Sequence, residues 1–181
     1  MWVRRRPRPA PIPGAGRVSL GCGQAFQDPG DGKAWFGEPH YGSSMDFSRS
    51  RDIDPATLIR LYDAVGWSSY TRNPADFGPM IRNAWLVISA WEAGELVGLV
   101  RVVGDGVTVA YIQDLLVAPE RQREGIGRSL LDMVLEETAH IRQTYITTDD
   151  AAWNQHVVEV YRSLGFRPTP ELGGTTLAIW R

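Results

Sequence analysis

The segment Asp114–Leu131, DLLVAPERQREGIGRSLL, carries the most specific set of chemistry-bearing groups in the chain. A strand-like run ends at Val117-Ala118-Pro119, a short loop holds Gly125 and Gly127, and helical periodicity starts at Ile126. This order sets successive backbone N–H groups at a helix start. The helix dipole adds partial positive charge there, which makes an anion site suited to a pyrophosphate. Glycines lack Cβ atoms, so phosphate oxygens can approach the main chain, while Arg123 and Arg128 add charge at the rim. Two familiar phosphate loops fail on single residues. A P-loop needs glycine at position 122 and lysine at 128, where the chain has Gln122 and Arg128. A dinucleotide fingerprint wants glycine at 130 and parallel strands before it, where Leu130 follows an antiparallel pattern. What remains is Gln/Arg-x-x-Gly-x-Gly/Ala after a strand ending Val-x-Pro.

A second constellation is NQHVVEVYRSLGF, residues 154–166. On a helix Asn154 and Tyr161 lie seven apart, about two turns, and therefore share a face. Tyr161 also falls on the apolar stripe of that helix, with Trp153, Val157, Val160 and Leu164, and Phe166 reads as core.

The elements that must hold these groups follow from periodicity. Asp54-Pro55 is an N-cap with proline at the first helical position, and Leu58, Leu61, Tyr62 and Val65 then recur at helical spacing up to Gly66. Asn73-Pro74 repeats that start, followed by Phe77, Ile81 and Ala84. Trp85–Trp91, Leu96–Val103 and Thr108–Val117 read as a meander of antiparallel strands, with turns at Ala93-Gly94 and Gly104-Asp105-Gly106. A helix over Ile126–His140, a strand over Thr144–Thr148, a helix over Ala152–Leu164 and a last strand over Leu177–Trp180 complete the order. The expected fold is α/β (α+β), a central mixed, mostly antiparallel sheet flanked by about four helices.

Composition excludes several classes. An apolar fraction of 43 % and a charged fraction of 22 % are those of a globular protein, and the net charge of −2 invites neither nucleic acid nor an anionic membrane. No apolar run reaches the ~18 to 20 residues of a membrane helix. A lone cysteine, Cys22, rules out an internal disulfide or a cysteine-based zinc site, so no metal is expected and reduced cytoplasm is the default compartment. Residues 1–45 hold six of the twelve prolines and eight of the nineteen glycines, without apolar periodicity, and read as a disordered extension. Residues 46–181 read as one domain, in a monomer or homodimer.

From 52 to 181, and most strongly from 110 to 166, the chain resembles the GNAT superfamily of N-acetyltransferases. The resemblance implies that the loop Gln122–Arg128 binds the pyrophosphate of acetyl-CoA through its amides. It also implies that the preceding strand is bulged and splayed from its neighbour, so that main-chain groups of Leu115, Leu116 and Val117 hold the pantetheine arm. Asn154 is implied to contact the pantetheine or phosphate region and Tyr161 to sit near the sulfur. The implied reaction is attack of a neutral primary amine on the thioester in a ternary complex, with Tyr161 donating a proton to the departing thiolate. Cys22 lies in the extension, which disfavours a covalent thioester route. For the base, Asp114, Asp149, Asp150, His156 and a water chain all stay open. Trp67 and Tyr70, between the first two helices, either line a flat acceptor pocket or cap the core. The expected acceptor is a small-molecule amine. A protein N-terminus or lysine, and a non-catalytic acyl-CoA sensor, are the alternatives.

Overall fold

The computed structural model describes residues 45–149 and 154–179. The expected extension 1–45 therefore lies outside the described residues except for Met45, as do Asp150, Trp153 and Trp180. Five strands form one sheet in the order β1-β2-β3-β4-β5: β1 Met45–Ser48, β2 Leu86–Glu92, β3 Glu95–Gly104, β4 Val109–Val117 and β5 Gln143–Ile146. The first four pair antiparallel and β5 joins β4 in parallel, as the βαβ crossover through the following helix requires. The helices are α1 Pro55–Ala64, the single turn α2 Ser68–Thr71, α3 Phe77–Arg82, α4 Ile126–Glu137 and α5 Gln155–Ser163.

Helices α1 and α4 begin where the sequence places them, whereas α2 falls in the expected connection between helices and α5, expected from Ala152, is described from Gln155. Asp54 accepts the Thr57 N–H at 3.0 Å and Pro55 opens α1. Asn73 does not cap in this way; its amide donates to Asp76 at 2.8 Å, and a 3-10 turn over Pro74–Asp76 leads into α3. Leu58, Leu61 and Tyr62 of α1 and Phe77 and Ile81 of α3 are buried, as are Ile126, Leu130, Leu131 and Val134 of α4.

These two groups cover opposite faces of the sheet. A Cβ on Gly98 would meet Ile126 Cγ2 at 3.0 Å and Leu130 Cδ1 at 3.2 Å, so β3 presents that position to α4. Arg101 is three residues along the same strand and so points the other way, where Tyr62 of α1 lies with Asp114. A larger residue at 98 would push α4 off the sheet.

Two elements differ from expectation. β1 carries no alternating pattern in the sequence, yet Met45–Ser48 pairs with Ser89–Glu92, because a short edge strand needs only main-chain groups. The strand expected over Leu177–Trp180 is not formed by its described residues 177–179. Leu177 is 89 % and Ile179 82 % exposed, after a 3-10 turn over Thr169–Leu172 that ends on Gly173 at φ +79°. Alternating apolarity there is not matched by any strand partner among the described residues.

Candidate active site

The site is organised by one irregularity in β4. Arg101 pairs with Asp114 but Val102 pairs with Ile112, so Gln113 is an extra residue opposite nothing in β3. Such a bulge bends a strand and re-aims its side chains. Pairing with β5 ends at the same place: the last register pair is Ile112 with Ile146, and residues 113–117 have no partner strand on that side among the described residues. The expected splay is present, and its apex is Gln113.

Main-chain groups of β4 therefore face an open gap, though not all of those expected. The Ala118 N–H donates to Val97 on the β3 side at 2.9 Å. Alternation along the strand then turns Val117 and Leu115 toward the gap and Leu116 toward β3. The Gln122 side chain enters the gap and donates to the Val117 carbonyl at 3.1 Å. Leu116, 2 % exposed, belongs to the core and offers the gap neither its N–H nor its carbonyl.

The loop behind this strand has the conformation of an anion nest. Arg123 sits at φ +67° and Gly125 at φ +88°, and successive N–H groups converge from such backbones. Gly125 is the one position in the loop where glycine is required by its φ, and a Cβ there would meet nothing within 4 Å. The N–H groups of Arg123, Glu124, Gly125, Ile126, Gly127 and Arg128 donate to no group among the described residues; the next one, Ser129, returns to the Gly125 carbonyl at 2.9 Å. Unpaired donors along this loop and the first turn of α4 suit an anion such as a diphosphate. Arg123 and Arg128 differ. Arg128 is drawn to Asp132 at 3.1 Å and to Ser163 of α5 at 3.3 Å, whereas Arg123 makes no ion pair among the described residues.

Helix α5 carries Tyr161, with Asn154 at its N-cap. Asn154 is buried and its amide donates twice, to Thr148 Oγ1 and to the Asp149 carbonyl, both at 2.8 Å. Both donors are spent tying the end of β5 to the start of α5, which makes it a positioning residue within the chain. Tyr161 is 9 % exposed and packs edge-on against the half-buried Phe166 with centroids 6.1 Å apart. Burial pushes its hydroxyl up to about 12, so it is protonated at any physiological pH. It lines a groove of about 740 Å³ between β5, α5 and residues 164–176. That groove does not reach Leu115–Val117 or the loop; the link between them is the Arg128–Ser163 contact, two residues beyond Tyr161.

The candidate bases separate clearly. Asp114 is 1 % exposed and its carboxylate accepts from Arg101 Nε at 2.5 Å and the Tyr62 hydroxyl at 2.7 Å on Oδ2. The Tyr70 hydroxyl reaches Oδ1 at 2.9 Å. With three donors and no path to solvent it cannot take a proton from a substrate directly. Asp149 and His156 are exposed, and Asp150 lies outside the described residues.

Sequence reasoning missed this buried cluster. The structure brings Tyr62, Trp67, Tyr70 and Phe77 together in one aromatic group: Trp67 stacks on Tyr70 at 5.8 Å and 25°, and Tyr62 meets Phe77 edge-on at 5.0 Å. Of the two open readings of Trp67 and Tyr70, the structure supports the capping one, since each is half-buried against the core. The only signal in the sequence was polar, Arg101 and Asp114 inside otherwise apolar strands.

The profile of the Acetyltransferase (GNAT) family matches residues 46–166. A soybean (Glycine max) protein named histone acetyltransferase TAP1 is 31 % identical over 137 residues, covering 69 % of this chain and 57 % of its own. Rice (Oryza sativa subsp. japonica) serotonin N-acetyltransferase 2, a chloroplastic protein, is 34 % identical over 67 % of this chain and 60 % of its own length. The chain thus spans little more than half of these relatives. Among solved structures, a GNAT family acetyltransferase of Streptococcus pneumoniae superposes with a TM-score of 0.65 at 29 % identity, covering 76 % of this chain and 98 % of its own. The chain belongs to the GNAT acetyltransferase family.

Proposed function

We propose that this member of the GNAT family transfers an acetyl group from acetyl-CoA to a primary amine in a ternary complex. The observation that carries the reading is the row of unpartnered amides from Arg123 to Arg128 beside the open flank of β4. When bound, acetyl-CoA supplies an activated acyl group as a thioester. The nest at Arg123–Gly125 holds its diphosphate, with the Arg123 guanidinium adding charge. Leu115 and Val117 offer main-chain groups along the gap.

Tyr161 is the group proposed to serve the leaving sulfur. A phenol held near 12 is a weak acid beside a thiol of reference pKa about 8.5, so full transfer of its proton to a thiolate is uphill. Its contribution is a hydrogen bond donated to sulfur as negative charge develops, with solvent completing the protonation. Asn154 fixes the helix that carries it.

For the acceptor, a small-molecule amine is the favoured reading: the half-buried, stacked pair Trp67 and Tyr70 lies beside the bulge residue Gln113, to which Tyr70 is hydrogen-bonded, and aromatic groups suit such a ligand. The rice relative is named for an aromatic amine and supports the same choice. The soybean relative is named for histones, and a lysine side chain is the alternative acceptor. Release of free CoA, followed with a thiol reagent in the presence of acetyl-CoA and a panel of aromatic and aliphatic primary amines and a lysine peptide, tests the proposal. Amine-dependent release is expected. Tight acetyl-CoA binding without release by any amine would mark a sensor instead.

A further inference from the structure

The buried cluster around Asp114 has more hydrogen-bonding order than packing alone requires. Its outermost member is Tyr70, half-buried in α2, whose hydroxyl lies 2.9 Å from Asp114 Oδ1 and 3.1 Å from Gln113 Nε2. Gln113 is the bulge residue at which β4 and β5 part. The hydroxyl therefore stands at the apex of the gap, about two residues, or roughly 7 Å of strand, from Leu115.

The valence of that oxygen is constrained. A phenolic oxygen has one proton and two acceptor sites. An ionised carboxylate has no proton to give, so the hydrogen between Tyr70 and Asp114 belongs to Tyr70. A carboxylate is also a stronger acceptor than an amide oxygen, so Gln113 must meet the same hydroxyl as a donor through its NH₂. One acceptor site on the Tyr70 oxygen is left, and no donor site. Whatever binds there must bring an N–H or O–H.

We infer that Tyr70 receives the nitrogen of the acceptor amine, and that Asp114, fixed by Arg101 and Tyr62, positions it by turning its proton inward. The inference rests on the acetyl-transfer reading and adds which residue discriminates the acceptor. An amine nitrogen carries the donors this oxygen needs; a carboxylate, phosphate or carbonyl of the same shape presents lone pairs to a lone pair and is rejected. Burial, with Asp114 beside it, holds the Tyr70 hydroxyl above its ordinary value, so the polarity persists across the neutral range. Tyr70 is here a specificity residue, and Asp114 is a positioning residue that exchanges no proton with substrate.

Titration calorimetry on the full chain saturated with CoA tests this. The ligands are 2-phenylethylamine, its carboxylate counterpart 3-phenylpropionate, and Nα-acetyl-lysine methylamide, which separates a small aromatic amine from a lysine side chain as the source of the nitrogen. Wild type is expected to bind at least one amine and not the carboxylate. Tyr70→Phe, which keeps the ring and its stacking on Trp67, is expected to lose at least tenfold in amine affinity with CoA affinity unchanged, and to lower Tm through loss of the donor to Asp114 Oδ1. Tyr62→Phe, which removes one support of Asp114 but leaves the Tyr70 hydroxyl in place, is expected to lower Tm and to weaken the preference for amine over carboxylate less than Tyr70→Phe does. Equal amine affinity in Tyr70→Phe, a matching loss of CoA affinity, or binding of the carboxylate would each overturn the inference. CoA release from acetyl-CoA with the same amines keeps the two readings apart. Turnover indifferent to Tyr70→Phe removes the inference and leaves the transferase, whereas Tyr70-dependent binding without turnover does the reverse.

Discussion

The middle of β4 and the loop that follows the strand are built on opposite principles. The loop is mostly exposed, glycine-opened and short of partners: from Arg123 to Arg128 no amide is satisfied within the described chain. The strand's middle, at Asp114, is sealed, aromatic and saturated, each carboxylate oxygen occupied and no buried polar side-chain atom left unpaired. Open donors in solvent cost little, because water fills them until a ligand's oxygens replace it. An unpaired charge at Asp114 would cost several kcal/mol, so that region must be complete before any ligand arrives. The open region is built to exchange partners and the closed one to hold geometry.

Substitutions that move one region toward the character of the other should sharpen that contrast. The largest effect is expected from Arg101→Ala, which leaves a buried carboxylate with two hydroxyls and no counter-charge. A loss of about 3 to 5 kcal/mol in unfolding free energy, read by urea denaturation, is the expected outcome; a loss below about 1 kcal/mol would show that the pair is dispensable. Gly127→Glu acts on the open end. A Cβ there meets only Val117 Cγ2 at 3.5 Å, so folding should be unaffected, while negative charge at the nest should weaken acetyl-CoA binding about thirtyfold, or ~2 kcal/mol. Calorimetry showing unchanged affinity would mean the loop is misassigned.

Tyr161→Phe should have the smallest effect, about a tenfold fall in kcat (~1.4 kcal/mol) with acetyl-CoA affinity unchanged. The same substitution has a signature in alkali. Between the ordinary value near 10 and about 12, an unfolded chain releases the Tyr161 proton while the folded one keeps it, so stability falls as pH rises through that window. Tyr161→Phe should fall less steeply over that range; Tyr62 and Tyr70, also raised by burial and by Asp114, contribute to the slope that remains. Identical slopes in both proteins would place Tyr161 in a solvated environment.

The same contrast explains what the sequence disclosed. The loop was readable because its function is local: glycine at Gly125, proline at Pro119 and the helix start at Ile126 fall within eight consecutive residues, and backbone geometry follows from such spacing. Helix α1 was readable for the same reason, through Asp54-Pro55 and its apolar stripe. The Asp114 cluster was not, because Tyr62, Tyr70, Arg101 and Asp114 meet only once β4 has bulged and α1 has docked on the sheet. β1 went unseen since an edge strand borrows its pairing from β2, and the expected strand at Leu177 shows the converse, a correct apolar alternation with no partner edge to accept it. Asn154 matched a family pattern by spacing, but its amide is committed to Thr148 and Asp149, which spacing could not reveal.

Amide-resolved proton–nitrogen NMR of the labelled protein during titration with CoA addresses the loop without any assumption about acceptor or chemistry. The amides of Arg123 through Arg128 should move together, downfield as they take up phosphate oxygens, with Asp114 and Tyr62 nearly still. Saturable binding of CoA that shifts amides elsewhere and leaves those six in place would contradict the account.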